Sequence, residues 1–384
     1  TVGRWGQPSP THPLDYGRDC CTTNGTSFVG DATIILLMMW QQYVLLPFGF
    51  ALIISLAITS LTILAYRALG IVDKSSSLDH PKNIHVTPVP RGGGIPIFIT
   101  VAFTLLVFLP SSSVTVAILS GALILLVMGI LDDMFNISPY LRLVAGFVAS
   151  TLVVIFGVSI AYVSNPLGGA PITFLGYEWL ATLISILWIT WSMNFVNMGA
   201  KGLDGQLPGV VVIAAIVMGI VSWRFVPDPS ALESAFMAAT VAGSFLGLLF
   251  FNAYPQKIMP GWGAGSLAGY LLAVISMMSG AKLATALIVL GIPLMDVVYA
   301  IIRRIRRGKS PVWGDAEHLH HKLLAIGWSK RRVAFAYWGF TAILGIIALQ
   351  LNSQMKIYTI LLIAVVVGGV ILWINSNLLS KRPE

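Results

Sequence analysis

The sequence predicts an all-α, polytopic membrane protein of about eleven spanning helices, with its functional residues on the cytoplasmic face. Three observations predict it. Hydrophobic residues make up 57% of the 384-residue chain and charged residues only 10%, and a mean hydropathy of +0.86 is far above that of a soluble globular domain. Apolar runs of about 17–25 residues, the length a spanning helix needs, recur along most of the chain. Of the 23 Lys and Arg residues, eighteen fall on one side of the membrane and five on the other when successive loops are given alternate sides.

Residues 1–37 stand apart. They are polar, rich in Pro, Gly and Thr, begin with Thr1 and hold both cysteines, Cys20 and Cys21. They lack the basic start and apolar core of a secretory signal, and two adjacent cysteines make no disulfide framework. They read as an atypical polar extension before one integral-membrane domain, 38–384, with a natural start expected at Met38 or Met39. The apolar runs then follow at 43–66, 94–110, 114–131, 141–163, 178–196, 207–225, 232–250, 266–280, 282–300, 333–350 and 356–377. Arg67 closes the first, Gly92–Gly94 open the second and Asp132 closes the third. The eighth and ninth share a short break around Gly280–Lys282. Each run must be helical, because lipid offers no partner to an unpaired backbone group.

The charge asymmetry orients the chain by the positive-inside bias, with the N-terminus outside and the C-terminus cytoplasmic. Only Arg4, Arg18, Arg224, Lys282 and Lys356 fall on the outer side. The net charge of +8 is therefore accounted for by topology, and no nucleic-acid role is needed. Loops 67–93, 132–140, 197–206, 251–265 and 301–332 face the cytoplasm, and they hold nearly every carboxylate, histidine and asparagine able to do chemistry.

In GILDDMFN, Asp132 and Asp133 sit at the C-terminal end of a spanning helix. Acids there are costly and face the unfavourable end of the helix dipole, so a hard cation shared with phosphate would relieve them. A solvated turn paired with Arg142 is the plainer alternative. In NFVNMGAKGLDGQLPG, Asn194 and Asn197 share one helical face and Asp204 lies in a glycine-rich turn that would let backbone N–H groups approach a phosphate. DHPKNIHVTPVPRGGG holds Lys82, His85 and Arg91 before a glycine run that admits a close ligand approach. Lys82 and Arg91 could clamp phosphate, although positive-inside anchoring explains Lys82 equally well. FNAYPQKIMPGWGAGS places Asn252 at a helix end, followed by spaced glycines that suit close helix packing equally well. In GDAEHLHHKL, Asp315 suits an N-cap with Glu317 in the first turn and Gly327 as the stop. His318 and His321 then share a face, and His318, His320 and His321 can bond diphosphate oxygens or stack on a base. Zinc fits poorly, since the spacing is not i, i+4 and no cysteine is near. Asp296 lies inside the ninth run and reads as structural, paired with Arg303 or another cation.

In this order, HVTPVPRGGG, LDD, NFVNM…DG, FNAYP, GSLAGY and PLMD…RRIRRGKSP…HLHHKLL resemble the polyprenyl-phosphate N-acetylhexosamine-1-phosphate transferases over roughly residues 43–377. The HLHH form is similar to the branch that uses UDP-GlcNAc-type donors. The resemblance implies a cytoplasmic-face active site that transfers a sugar 1-phosphate from a UDP-N-acetylhexosamine to a polyprenyl phosphate lipid in a bacterial inner membrane, releasing UMP. It implies Mg²⁺, with Mn²⁺ as a substitute, and leaves a homodimer open. Asp132, Asp133 and Asp204 would be the catalytic acids, one of the pair able to act as base. Asp132, Asp133, Asn197 and Asp204 would hold the metal. His85, Arg91, Asn194, Asn197, Lys201, Asn252, His318, His320 and His321 would bind the substrates.

Two positions depart from the family pattern. The loop usually written N-x-x-N-x-x-D-G-x-D-G is one residue longer here, with Lys201 near the place of its first Asp, and G-D-x-G-S is replaced by Trp262-Gly263-Ala264-Gly265-Ser266. Gly263 thus stands where the resemblance expects a principal Mg²⁺ ligand, and Lys201 is able to supply cationic charge directly. A non-catalytic relative that binds polyprenyl lipid or UDP-sugar is the alternative that Gly263 favours. The retained acids and histidines argue against it. A transporter would need ionisable residues near the bilayer midplane, and Asp296 is almost alone there.

Overall fold

The computed structural model describes residues 25–72, 89–160, 162–163, 165, 168–226, 228–278, 283–313 and 317–379. Two compact units divide it, Thr1–Trp40 and Gln41–Glu384. In the first, the described part is one helix, α1 (Gly25–Trp40).

The second unit is helical almost throughout. A π-turn (Gln41–Leu45) leads into α2 (Leu46–Ala68), α3 (Gly94–Phe108), α4 (Ser113–Phe135), α5 (Pro139–Ile155), α6 (Glu178–Gly199), α7 (Gln206–Trp223), α8 (Pro229–Asn252) and α9 (Gly261–Met278). Then come α10 (Leu283–Val289), α11 (Gly291–Arg306), a short α12 (Leu319–Ala325), α13 (Lys330–Gln350) and α14 (Ser353–Leu379). Strands β1 (Tyr162–Val163) and β2 (Ile172–Thr173) pair antiparallel between α5 and α6. Starts follow local chemistry: the Ser112 hydroxyl accepts from Thr115 N–H at 3.1 Å to cap α4, and Ser329 caps α13, each satisfying an orphan amide of the first turn.

Each of the eleven apolar runs is helical over most of its described residues, but length does not reproduce eleven plain spans. Among the described residues eight helical stretches are long and apolar enough to cross a membrane, or nine if a bent pair counts as one. Gly94–Phe108 and Pro139–Ile155 are shorter, at 15 and 17 residues. The run expected at 282–300 is broken: α10 and α11 meet at 79°. Pro293 explains the break, since it lacks an N–H and its ring collides with the carbonyl four residues earlier, on Val289. The run expected to extend to 163 stops at Ile155 and gives way to the hairpin.

Helix α9 is the axis, buried from Gly261 to Met277. Apolar burial cannot draw helices together in lipid, so close approach of small residues must. Gly263 of α9 lies against Gly94 of α3 and Gly129 of α4, and a Cβ at Gly129 would overlap the Gly263 backbone. Buried polar groups close the same seams. The Tyr270 hydroxyl donates to Ile118 O at 3.0 Å, and the Ser55 hydroxyl joins α2 to α8 through Ser244 O at 2.6 Å.

Candidate active site

The C-terminal ends of α4, α6 and α8 and the N-terminal ends of α7 and α9 carry most of the expected residues. At the end of α4, Asp132 is paired with Arg142 of α5 at 3.1 Å. Asp133 accepts the Trp262 N–H at 3.2 Å. From the other side, the Lys201 ammonium donates to Gly261 O at 3.1 Å. That carbonyl and that N–H belong to one peptide unit, so Asp133 and Lys201 hold the first peptide of α9 between them. Gly261 has φ +65°, and a Cβ there would overlap the Asp133 carboxylate; both facts require glycine.

Arg91 is brought to the same place by backbone pairing. Met259 N–H donates to Pro90 O at 2.9 Å, and Gly93 N–H to Met259 O at 3.1 Å. Burial holds the Lys201 pKa down to about 8. Asp133 and Asp132 oppose that shift, and Arg142 and Arg91 add to it. The ammonium therefore senses both acids and both guanidinium groups.

The loop after Lys201 reaches the histidines. His320 packs on Gly202 so closely that a Cβ there would fall inside the ring. The His320 ring is almost fully buried, and its Nδ1 has no hydrogen-bond partner. Burial holds its pKa well below the usual histidine range, with the neighbouring His321 and His318 acting the same way, so it is neutral at physiological pH. The His318 and His320 rings lie nearly parallel, 5.8 Å apart.

His318 is anchored rather than presented. Its Nδ1 lies 2.9 Å from Asp296 Oδ2, and Asp296 Oδ1 accepts the Leu319 N–H at 2.8 Å. Asp296 is fully buried and satisfies an N-terminal amide of α12 from a distant helix. One expectation is corrected here. Helix α12 begins at Leu319 with His318 at the N-cap, so Glu317 is not in its first turn. Instead Glu317 pairs with Arg303 at 3.1 Å and Arg307 at 2.8 Å. The contacts of Asp296 with His318 and Leu319 are structural. Gly327, at φ +95°, follows the helix end as expected. Asp315 and His85 lie outside the described residues.

The 203–206 turn is locked to the 252–258 segment. Asn252 Oδ1 accepts Gly205 N–H at 3.0 Å, while its amide donates to Gln256 Oε1 at 2.9 Å and Ile258 O at 2.8 Å. Asp204 Oδ2 accepts Gln256 N–H at 3.4 Å. Its Oδ1 is buried without a partner, as is Asn197 Oδ1, which occupies the space left by Gly265. Asn194 donates to Thr190 O at 2.7 Å, one turn back along α6. His321 contacts the His320 ring at 4.3 Å. Buried polar groups are nearly always paired, and Asn197 Oδ1, Asp204 Oδ1 and His320 Nδ1 are among the buried atoms without a protein partner.

The sequence reading gave no weight to Arg304, whose guanidinium donates to Pro311 O at 2.8 Å and lies 3.5 Å from His318 Nε2. Its place eight residues after Asp296, on one face of α11, was the available signal.

The donor set does not suit a resident Mg²⁺ ion. Mg²⁺ demands octahedral oxygen ligation. Of the expected ligand set, Asp132 is paired with Arg142 and Asp133 shares its peptide with an ammonium. Gly263 offers no oxygen-bearing side chain, and only Asp204 Oδ1 and Asn197 Oδ1 of that set are left as unpartnered oxygens, too few for that geometry. Among the described residues no three His, Cys, Asp or Glu side chains form a cluster able to hold a metal ion.

A family model described as Glycosyl transferase family 4 matches residues 115–280, the stretch from α4 to α9 that holds the acid pair, the 197–206 loop and Gly263. The chain is 30% identical over 318 residues to a probable undecaprenyl-phosphate N-acetylglucosaminyl 1-phosphate transferase of Bacillus subtilis, covering 79% of this chain and 85% of that protein. It is 30% identical over 319 residues to a decaprenyl-phosphate N-acetylglucosaminephosphotransferase of Mycobacterium leprae, covering 72% and 79%. An undecaprenyl-phosphate alpha-N-acetylglucosaminyl 1-phosphate transferase of Escherichia coli K12 is 26% identical over 279 residues, covering 69% and 72%.

Proposed function

The chain belongs to glycosyl transferase family 4, and on that premise we propose that it is a multi-pass membrane phosphotransferase acting on polyprenyl phosphate. It moves N-acetylglucosamine 1-phosphate from a UDP-sugar to the lipid, giving a polyprenyl-diphospho-sugar and UMP, the first membrane step of a cell-envelope glycan. The reading places the protein in a bacterial inner membrane with its N-terminus outside and its C-terminus in the cytoplasm, as one integral-membrane domain over 38–384.

The step balances without a base. A lipid phosphate oxygen forms a bond to the phosphorus that bears the sugar, and the bond from that phosphorus to the UMP oxygen breaks, its electron pair leaving with UMP. Near neutral pH the lipid phosphate is largely dianionic, since its second pKa is about 6. Each substrate and each product then carries two negative charges, and no proton has to move. What the protein must supply is position and positive charge where two anions meet.

The unpartnered, buried Asn197, Asp204 and His320 atoms beside a cation-bearing loop are the observation that carries this reading. Arg91 and Lys201 are suited to phosphate oxygens. Asn197, Asp204 and neutral His320, with His321, His85 and Asn194 nearby in sequence motifs, are suited to the nucleotide and sugar. Asp132 and Asp133 set where the cations and the start of α9 lie, Asn252 braces the turn that carries Asp204, and His318 braces His320. The test is UMP release from UDP-GlcNAc by purified protein given undecaprenyl phosphate. Turnover that requires both substrates supports the reading. UDP-GlcNAc or lipid binding with no turnover, with or without divalent cation, overturns it in favour of a non-catalytic relative.

A further inference from the structure

The misfit at the metal site has a counterpart in Lys201. Resting on the transfer reading above, we propose that the Lys201 ammonium is the site's resident counter-charge, binding substrate phosphate in place of a divalent cation. The Lys201 Nζ is fixed by Gly261 O at 3.1 Å, at the peptide whose N–H is held by Asp133. An ammonium has three N–H donors, so two are left for phosphate oxygens. Lys201 stands near an acid's place in the loop pattern and Gly263 at another acid's place. The crease at Asp133 holds no second acid: Gly92, Gly94, Gly129 and Gly263 line it with apolar residues, and Asp133 is its one charged group.

Charge arithmetic points the same way. Asp132 and Asp133 face Arg142, Arg91 and Lys201, three cations whose fields meet at this end of α4 and α9. Around the Gly261–Trp262 peptide, three cations against two carboxylates leave one net positive charge. That balance attracts anionic phosphate and opposes the entry of a further dication. Two acids without Lys201 would do the reverse. The ammonium at the start of the 200–205 loop therefore sets what the site accepts, beside the walls built by Asn197, Asp204 and His320.

The experiment is titration of the purified full-length protein with UDP-GlcNAc by calorimetry, in EDTA and in Mg²⁺, together with Mn²⁺ binding followed by electron paramagnetic resonance. Wild-type affinity is expected to change less than about twofold on chelation, with no tightly held Mn²⁺. Lys201→Ala should weaken UDP-GlcNAc binding in EDTA roughly ten- to a hundredfold, the range for losing a charge-assisted hydrogen bond. Lys201→Arg should keep most of the affinity, which separates loss of charge from loss of fold. Lys201→Asp should acquire Mn²⁺ binding and make UDP-GlcNAc binding depend on Mg²⁺. Loss of wild-type binding in EDTA, or unchanged binding in Lys201→Ala, overturns the proposal. The two readings fail separately. Metal-independent binding that needs Lys201 but never yields UMP sinks only the transfer reading. Mg²⁺-dependent turnover insensitive to Lys201→Ala sinks only the resident-cation proposal.

Discussion

Asp296→Asn tests how the histidine wall is built. Asp296 is fully buried and uses both oxygens as acceptors, one for His318 Nδ1 at 2.9 Å and one for the Leu319 N–H at 2.8 Å. Asparagine keeps one acceptor and turns a donor toward the second of these groups, so one charge-assisted bond is lost. Such a bond is worth about 1.5–3 kcal/mol. Helix α12 is only seven residues long and cannot hold its own start, so the loss falls on the position of His318 and, through the parallel ring, of His320. At about 2 kcal/mol the expected fall in kcat/KM for UDP-GlcNAc is roughly thirtyfold. The fold should survive, because the large helices pack without α12. The assay pairs UMP release with the ring-nitrogen NMR signals of His318, which report its tautomer, and with thermal unfolding. Activity within about twofold of wild type alongside an unchanged tautomer would refute the positioning role.

Three further predictions follow from particular contacts. Gly202→Ala puts a methyl into the His320 ring, an overpacking that should cost about 1–3 kcal/mol of stability and lower turnover; a normal melting curve with full activity would contradict it. The Lys201 pKa, held down to about 8 from 10.5, should make UDP-GlcNAc binding decline as pH rises through about 8. A lysine whose folded pKa is depressed makes folding least favourable while it is charged, so this group's contribution to stability should rise over the same window, from about 8 toward 10.5. Binding and melting temperature measured on one pH series should move in opposite directions, and Lys201→Arg should flatten both. Ser112→Ala removes the cap of α4 at the end of the helix opposite Asp132 and should cost about 1 kcal/mol of stability with UMP release unchanged.

The membrane architecture was legible because lipid enforces a simple rule: an apolar run of spanning length must satisfy its own backbone, and so must be helical. What that rule omits is direction and interruption. Composition makes 282–300 one apolar run, whereas Pro293 folds it into α10 and α11 at 79°, carrying Asp296 to the histidine loop. The same limit explains Glu317. Local capping preferences favour a helix that starts early in GDAEHLHHKL, but Asp296 arrives from α11 and caps it at Leu319 instead. A carboxylate more than twenty residues away leaves no trace in local spacing.

For the candidate site, residue type names the candidates and geometry separates their contacts. Asp204 and Asn252 read from the sequence as ligand contacts, yet Asn252 spends its side chain on Gly205, Gln256 and Ile258. Only one oxygen of Asp204 is left over. His318 and His320 look alike in HLHH, but one is tied to Asp296 and the other offers a buried, unpartnered nitrogen. Lys201 and Gly263 show the limit most clearly. Read as isolated departures from a pattern, they suggest a lost metal site and an inactive relative. At the peptide that Lys201 and Asp133 share, the proposal above reads them instead as a site that carries its own cation. On that proposal inactivity does not follow from Gly263, because Lys201 supplies the positive charge that a bound ion would bring.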